Sequence, residues 1–277
     1  MLKGINQWCY PDNTPLEMVF QYSRDAGFEA VELNISMDGI GLTMNTSREE
    51  AKQIREMADH YGLQLKSIST NLLWKFPLSH QDDKVREQGR KVVEKQIELA
   101  SFIGADTVLV VPGVVNEETS YLDCYNRSQE ELRKVLPLAE KQNVHIGIEN
   151  VWNKFLLSPL EMARYIDEFH SDYMGAYYDV GNTLQFGYPE QWIEILGDRI
   201  RKIHVKDFKQ NVGNITGFVP LLAGDVNWKK VFQALKQIGY KDTVTAEIPA
   251  YAYGPQYLAE DTAKHLDIVL KHEMVNH

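Results

Sequence analysis

The sequence predicts a fold of the α/β class, a single (β/α)8 TIM barrel occupying residues 1–277 as one domain. Three observations carry that expectation. Eight short β-rich runs alternate with longer stretches of helical periodicity along the chain. Several runs are almost continuously apolar, as in Val108-Leu109-Val110-Val111, the pattern of parallel strands covered on both faces. The connections are also unequal. They are tight from helix to strand, as in Ala26-Gly27-Phe28-Glu29 and Tyr61-Gly62-Leu63, and long from strand to helix, as over residues 36–46, 71–81 and 207–227. Loops beyond about 12 residues are usually functional, and barrel enzymes build their sites from the loops that follow the strands. A length of 277 residues matches the roughly 250 of one such barrel. A doubly wound open sheet is the alternative; no Gly-x-Gly-x-x-Gly follows the first run, which counts against a dinucleotide-binding version of it.

The first strand is expected over residues 3–9. Thr14-Pro15-Leu16-Glu17 follows, a Ser/Thr-x-x-Glu box in which the hydroxyl accepts from an N-terminal amide and the glutamate bonds back. Gly27 supplies the left-handed residue that ends this helix. Residues 30–35 form the second strand, and Ser47-Arg48-Glu49-Glu50 and Gly62 bound the second helix. The third strand covers 64–70. The charged stretch 80–95 after it reads as the solvated face of a long helix, closed by Gly104. Residues 107–112 and 144–149 give the fourth and fifth strands. Ser158-Pro159-Leu160-Glu161 opens the next helix with proline at its first position, as Pro15 does earlier. The sixth, seventh and eighth strands fall at 174–179, 200–206 and 243–248, with Gly239 ending the helix before the last.

The chain carries 39 acidic against 29 basic residues, a formal charge of −10. That charge opposes nucleic-acid binding, which needs a basic face to displace counterions from phosphates. The two cysteines, Cys9 and Cys124, are too few for a disulfide framework and suit a reducing compartment. Lys3, Asn6 and Gln7 stand where a signal peptide is apolar, and no apolar run approaches the ~18 residues of a membrane span. A cytoplasmic globular protein with no nucleic-acid or membrane partner is expected.

Chemistry concentrates at the ends of the last four strands. The fifth ends Ile148-Glu149-Asn150 and the sixth Tyr178-Asp179-Val180-Gly181-Asn182. The seventh ends Ile203-His204-Val205-Lys206-Asp207 and the eighth Ala246-Glu247-Ile248-Pro249. In a barrel these put Glu149, Asp179, His204 and Glu247 on one rim. Three carboxylates and an imidazole converging there repel unless a cation joins them. One divalent ion meets that need. Carboxylates favour Mg2+ or Mn2+, and the histidine moves the choice toward Mn2+, Co2+ or Zn2+, with Mn2+ favoured. Taken singly, each residue has a plainer use: Asp179 in an Asx turn over Val180-Gly181, His204 paired with Asp207, or a solvated acid.

These motifs resemble the xylose-isomerase-like barrel superfamily of sugar and sugar-phosphate isomerases and epimerases. Leu222-Ala223-Gly224-Asp225-Val226-Asn227-Trp228 is similar to that family's Gly-Asp-Val/Ile-Asp-Trp segment at the start of its seventh helix. The resemblance covers essentially the whole chain. It implies a metal-dependent isomerase or epimerase acting on a small sugar or sugar phosphate of the ketose type. It implies that Glu149, Asp179, His204 and Glu247 hold one divalent ion. Glu149 and Glu247 then act as acid and base from opposite faces of the sugar, through a metal-stabilised cis-enediolate. A homo-oligomer is compatible with the resemblance.

Three departures mark this chain. Phe155 stands where free-ketose epimerases have a glutamate six residues after the strand-five ligand, and Asn182 where they have a histidine three after the strand-six ligand. Lys206 and Lys209 stand near the place of a sugar-gripping arginine. The two lysines either meet a phosphate or carboxylate of the substrate, or Lys206 pairs with a local acid and Lys209 is solvated. Trp8 and Trp152, closest to strand ends, are the expected sugar-facing aromatics, with Tyr10, Trp74, Phe76, Tyr251 and Tyr253 as further loop aromatics. Glu32 either orients a ligand or only supports Asn6. Cys9 has no His/Asp partner and is not read as a nucleophile. His60, His80, His145, His170, His265, His272 and His277 lack metal spacing. The histidines that a three-zinc apurinic endonuclease needs after strands three and four are missing. A dehydratase acting on a keto-sugar or inositol-type substrate is the alternative enzyme, and a sugar-binding barrel without turnover the alternative outside catalysis.

Overall fold

Eight parallel strands close on themselves in the computed structural model, which describes residues 1–271. They are β1 (Leu2–Asn6), β2 (Ala30–Ser36), β3 (Gln64–Thr70), β4 (Thr107–Val110), β5 (His145–Glu149), β6 (Met174–Asp179), β7 (Ile200–Val205) and β8 (Thr243–Ala246). Each pairs with the next, and β8 returns to β1 through Leu2↔Thr243 and Gly4↔Thr245. This closure excludes the open-sheet alternative. Helices separate the strands: α1 (Leu16–Asp25), α2 (Arg48–His60), α3 (Asp83–Ile103), α4 (Tyr121–Gln142), α5 (Pro159–Asp167), α6 (Pro189–Leu196), α7 (Trp228–Gln237) and α8 (Pro255–Lys271). His272 and His277 lie outside the described residues.

The strands are buried on both faces because the helices cover the outside while inward side chains fill the barrel. All four residues of β4 are buried. In β6 the alternation is legible: Tyr177 and Asp179 point inward, whereas the Tyr178 hydroxyl donates outward to the Pro189 carbonyl at 3.1 Å. Along β7 the inward residues are Lys202 at the base and His204 above it, with Lys206 following at the mouth. Lys202 is fully buried and paired with Asp106 (2.7 Å) and Asp242 (2.6 Å).

Most local expectations hold, and the exceptions have physical reasons. Ser47 and Glu50 make the expected reciprocal box, and the Ser158 hydroxyl accepts from the Glu161 amide at 3.2 Å. Gly27, Gly62, Gly104 and Gly239 all have positive φ. Thr14 does not cap α1. Pro15 is the N-cap, in an extended conformation with no side-chain cap bond, so the helix starts one residue late. The first strand ends at Asn6, not Cys9. The Asn6 side chain accepts from the Trp8 amide at 2.7 Å and turns Gln7–Cys9 into a 3-10 helix. The charged stretch at the start of α3 is not simply solvated. Arg86 and Arg90 both bind Glu131 of α4, a carboxylate 1% exposed. Cys9 and Cys124 are free and buried, and burial, above all, pushes the Cys9 thiol up to about 12, which suits no nucleophile. No helix among the described residues is long and apolar enough to cross a membrane.

The long connection from β7 to α7 is organised by one carboxylate. Asp207 Oδ1 accepts from the amides of Phe208 (2.9 Å) and Val226 (3.1 Å), and Oδ2 from the Trp228 indole (3.0 Å). Gly224 packs so closely on Asp207 that a Cβ there would collide with its carboxylate. Within the loop, Asp207–Phe208 pairs antiparallel with Phe218–Val219. Asp207→Ala strands three buried donors, so urea unfolding should show a loss of about 3 kcal/mol or more. A loss below about 1 kcal/mol would contradict this role of Asp207.

Candidate active site and metal centre

Parallel pairing brings four strand ends to one rim. Asp179 of β6 lies directly beside His204 of β7, and His204 beside Thr245 of β8. Glu247 follows β8 immediately, its amide still bonded to the Val205 carbonyl at 3.1 Å. Glu149 closes β5 and pairs with Tyr177 of β6. One donor atom from each of Glu149, Asp179, His204 and Glu247 lies within 4.8 Å of the other three. Glu149, Asp179 and His204 are buried, and Glu247 is half-buried.

The histidine is held from behind. His204 Nε2 lies 2.8 Å from Glu32 Oε1. Glu32 is buried and also accepts from the Asn6 amide, the Ser67 hydroxyl and the Tyr177 hydroxyl. Burial alone would raise the Glu32 carboxyl, but His204 and these hydrogen bonds outweigh it and hold it down at about 2. With Nε2 engaged, His204 Nδ1 is the nitrogen facing the carboxylates. It is buried, has no hydrogen-bond partner, and lies 3.6 Å from Glu247 Oε2. An unpartnered imidazole nitrogen aimed at three carboxylates is a donor set that fits a divalent cation. Glu32 therefore both orients His204 and supports Asn6, joining the two readings of it that the sequence left open.

Asp179 likewise serves two ends. Its Oδ1 accepts from the Asn182 amide at 2.8 Å, capping the short helix Val180–Thr183, while Oδ2 faces the cluster. The pairing of His204 with Asp207 does not occur, because Asp207 is spent on its own loop. Lys206 pairs with local acids: its Nζ is 2.8 Å from Asp179 Oδ2 and touches Glu247 Oε2.

Burial first, and then the charge of Glu247, push the Glu149 carboxyl up to about 8. Burial also opposes ionisation of Glu247, but Lys206 and His204 outweigh it and keep this carboxyl below its ordinary range. For His204 burial opposes protonation, yet Glu32 and Glu247 prevail and bring it up to about 9. Both raised groups hold protons at pH 7. Metal loading must displace them, so it should release about two protons, and apparent affinity should climb as pH rises through about 8 and about 9. Calorimetry in buffers of different ionisation enthalpy reads this directly; a loading enthalpy independent of buffer would contradict it.

A cavity of about 370 Å3 opens beside the donor set. Trp8, Trp152, Asn182, Lys206 and Glu247 line it, together with Trp74. The Trp152 indole donates to the Asn182 carbonyl at 2.9 Å, and its ring meets Phe186, Phe208 and Phe218. Lys209 is not part of the wall; its amide is bonded to the Gly217 carbonyl at 2.9 Å. Phe155 is not part of this wall; it packs edge-on against Tyr121, Tyr125 and Tyr165. Tyr253 is 91% exposed and stands outside the cavity. Ile215 and Phe218 reach the wall from the 207–227 loop, and Val151, Ile248 and Pro249 complete it. Nothing in the sequence marks Ile215 and Phe218, since no periodicity picks out loop residues. Tyr177 was also missed, though its place two residues before Asp179 on an alternating strand signals the same inward face.

Comparison with known proteins gives a consistent picture. The family model described as xylose isomerase-like TIM barrel matches residues 20–269. The L-ribulose-5-phosphate 3-epimerase UlaE of Escherichia coli (strain K12) is 25% identical over 222 residues, covering 79% of this chain and 77% of that protein. Among solved structures, an L-ribulose 3-epimerase superposes with a TM-score of 0.82 at 19% identity, over 98% of this chain and 95% of the other. The IOLI protein with a bound zinc atom superposes with a TM-score of 0.81 at 17% identity, over all of both chains.

Proposed function

The chain belongs to the xylose isomerase-like TIM barrel family, and from that premise we propose that it is a divalent-metal-dependent epimerase or isomerase of ketose-type sugars. The observation that carries the reading is the convergence of Glu149, Asp179, His204 and Glu247 within 4.8 Å beside an aromatic-walled cavity. The activities of the epimerase relatives and the zinc in a neighbour of the same fold support it. The four donors would hold the ion, with Mn2+ favoured and Mg2+, Co2+ or Zn2+ as alternatives. When bound, the ion supplies Lewis-acid polarisation of the substrate carbonyl and stabilises the negative charge that follows deprotonation.

The protein's own residues do the rest. β5 and β8 stand three strands apart on the barrel wall, so Glu149 and Glu247 approach a sugar between them from different sides. One carboxylate removes the proton from the carbon next to the carbonyl, leaving a cis-enediolate. The other delivers a proton to the opposite face, which inverts that centre. In the reverse direction the roles exchange. Lys206, against Glu247 and Asp179, keeps a positive charge beside the developing enediolate. Trp8 and Trp152 flank the sugar and exclude water.

The test is product analysis. Mn2+-loaded protein incubated with a panel of ketoses and ketose phosphates should yield a stereoisomer or positional isomer of unchanged mass. A product lighter by one water would replace this reading with the dehydratase. Ligand binding without any product would favour the sugar-binding barrel.

A further inference from the structure

Resting on the reading of this site as a ketose enzyme, we propose that its substrate is a neutral, unphosphorylated ketose and that the cavity discriminates against sugar phosphates. A phosphate dianion needs charge-assisted donors when it leaves water: a free cation, or backbone amides gathered at a helix N-terminus or loop. Among the described residues the wall offers no free cation. Trp8, Trp74, Val151, Trp152, Ile215 and Phe218 form its greater part, and their apolar faces suit the C–H surfaces of a sugar ring or chain.

Lys206 is the one cation among the described residues lining the cavity, and it is committed. Its Nζ is 2.8 Å from Asp179 Oδ2 and touches Glu247. Lys206 and a divalent ion together do no more than balance the three carboxylates of Glu149, Asp179 and Glu247, so no positive charge is left for an anion. The second lysine of this segment, Lys209, is outside the wall. Three of the wall's backbone amides are already spent. The amide of Trp8 is bonded to Asn6 Oδ1 (2.7 Å), that of Asn182 to Asp179 Oδ1 (2.8 Å), and that of Ile248 to Cys9 Sγ (3.3 Å). Of the polar wall groups, the Asn182 side-chain amide already donates to the Asn150 carbonyl at 3.0 Å, the Trp152 indole to the Asn182 carbonyl at 2.9 Å, and the carboxylate of Glu247 repels an anion; the indole N–H groups of Trp8 and Trp74 are neutral donors that bring no counter-charge. A phosphate carried into this space meets aromatic rings and like charge.

Matched pairs test the inference: L-ribulose and its terminal phosphate ester, and D-fructose and its terminal phosphate ester, each with Mn2+-loaded protein. Hydrogen exchange with deuterium oxide at the carbon beside the carbonyl gives kcat/KM for each compound. Quenching of Trp8 and Trp152 fluorescence gives binding whether or not turnover occurs. The free ketose of the responding pair should exceed its phosphate by on the order of 100-fold in both readouts, the scale of an anion placed without a counter-charge. A phosphate that binds or exchanges as well as the free ketose overturns the inference and leaves the ketose reading standing. Free ketoses that bind more tightly than their phosphates yet never exchange sustain the discrimination while removing the epimerase reading beneath it. If no compound binds in any pair, both fall.

Discussion

Glu247→Gln lowers conversion of one epimer into the other by on the order of 1,000-fold, the scale on which a positioned acid or base contributes. The change removes a carboxylate of nearly the same shape, so packing is kept. The Glu247 amide still bonds to the Val205 carbonyl, and the side chain is only half-buried. What the proposed chemistry would lose is a proton acceptor and one of the four donors that could hold a cation, and Lys206 would lose a charged partner. Glu149→Gln loses conversion to the same degree. The pair is told apart by starting from each epimer separately. The variant lacking the base for one epimer fails to exchange it, while the other variant retains residual exchange from that side without inversion. If both variants convert substrate within about tenfold of the parent protein, the acid–base assignment is wrong.

Glu32→Gln weakens metal affinity about 10- to 100-fold, the usual effect of removing a carboxylate that orients a ligating histidine. Glu32 never reaches the donor cluster. It acts through His204 Nε2, and it is itself fixed by Asn6, Ser67 and Tyr177. The glutamine keeps one oxygen for the imidazole but sets an amide among hydroxyls that now donate to a carboxylate. Tyr177→Phe, which removes one of these donors, should weaken affinity several-fold less. Competition with a chromophoric chelator measures both constants, and excess Mn2+ should restore much of the Glu32→Gln activity. A variant that melts earlier yet binds Mn2+ with unchanged affinity would reduce Glu32 to a packing role.

How much of this was legible follows from what kind of signal each residue leaves. Strand ends are marked by apolar runs that stop at a charge, and so Glu149, Asp179, His204 and Glu247 stood out together. Barrel closure turns four separate marks into one cluster. The capping box at Ser47 and the cap at Ser158 were legible because they are local. The end of β1 was not. Asn6 turns the chain by a side-chain bond to Trp8, and Trp8-Cys9-Tyr10 reads equally well as strand. Phe155 reads from the sequence as a change in the sugar-gripping set, but it joins a tyrosine cluster that only the fold assembles. Lys206 and Lys209 differ by one turn of chain that the sequence does not reveal. One follows the inward face of β7, while the other enters the loop pinned by Asp207. Ile215 and Phe218 reach the cavity only because that loop folds back over it.

The fate of one hydrogen tests the proposed chemistry most directly. Mn2+-loaded protein turning over its ketose in deuterium oxide should place one deuteron on the carbon beside the carbonyl in the product. The same label should wash into recovered substrate, and the labelled product should vanish in Glu247→Gln. Conversion that proceeds with no deuterium entering product or substrate would contradict proton transfer through an enediolate, and with it the acid and base roles of Glu149 and Glu247.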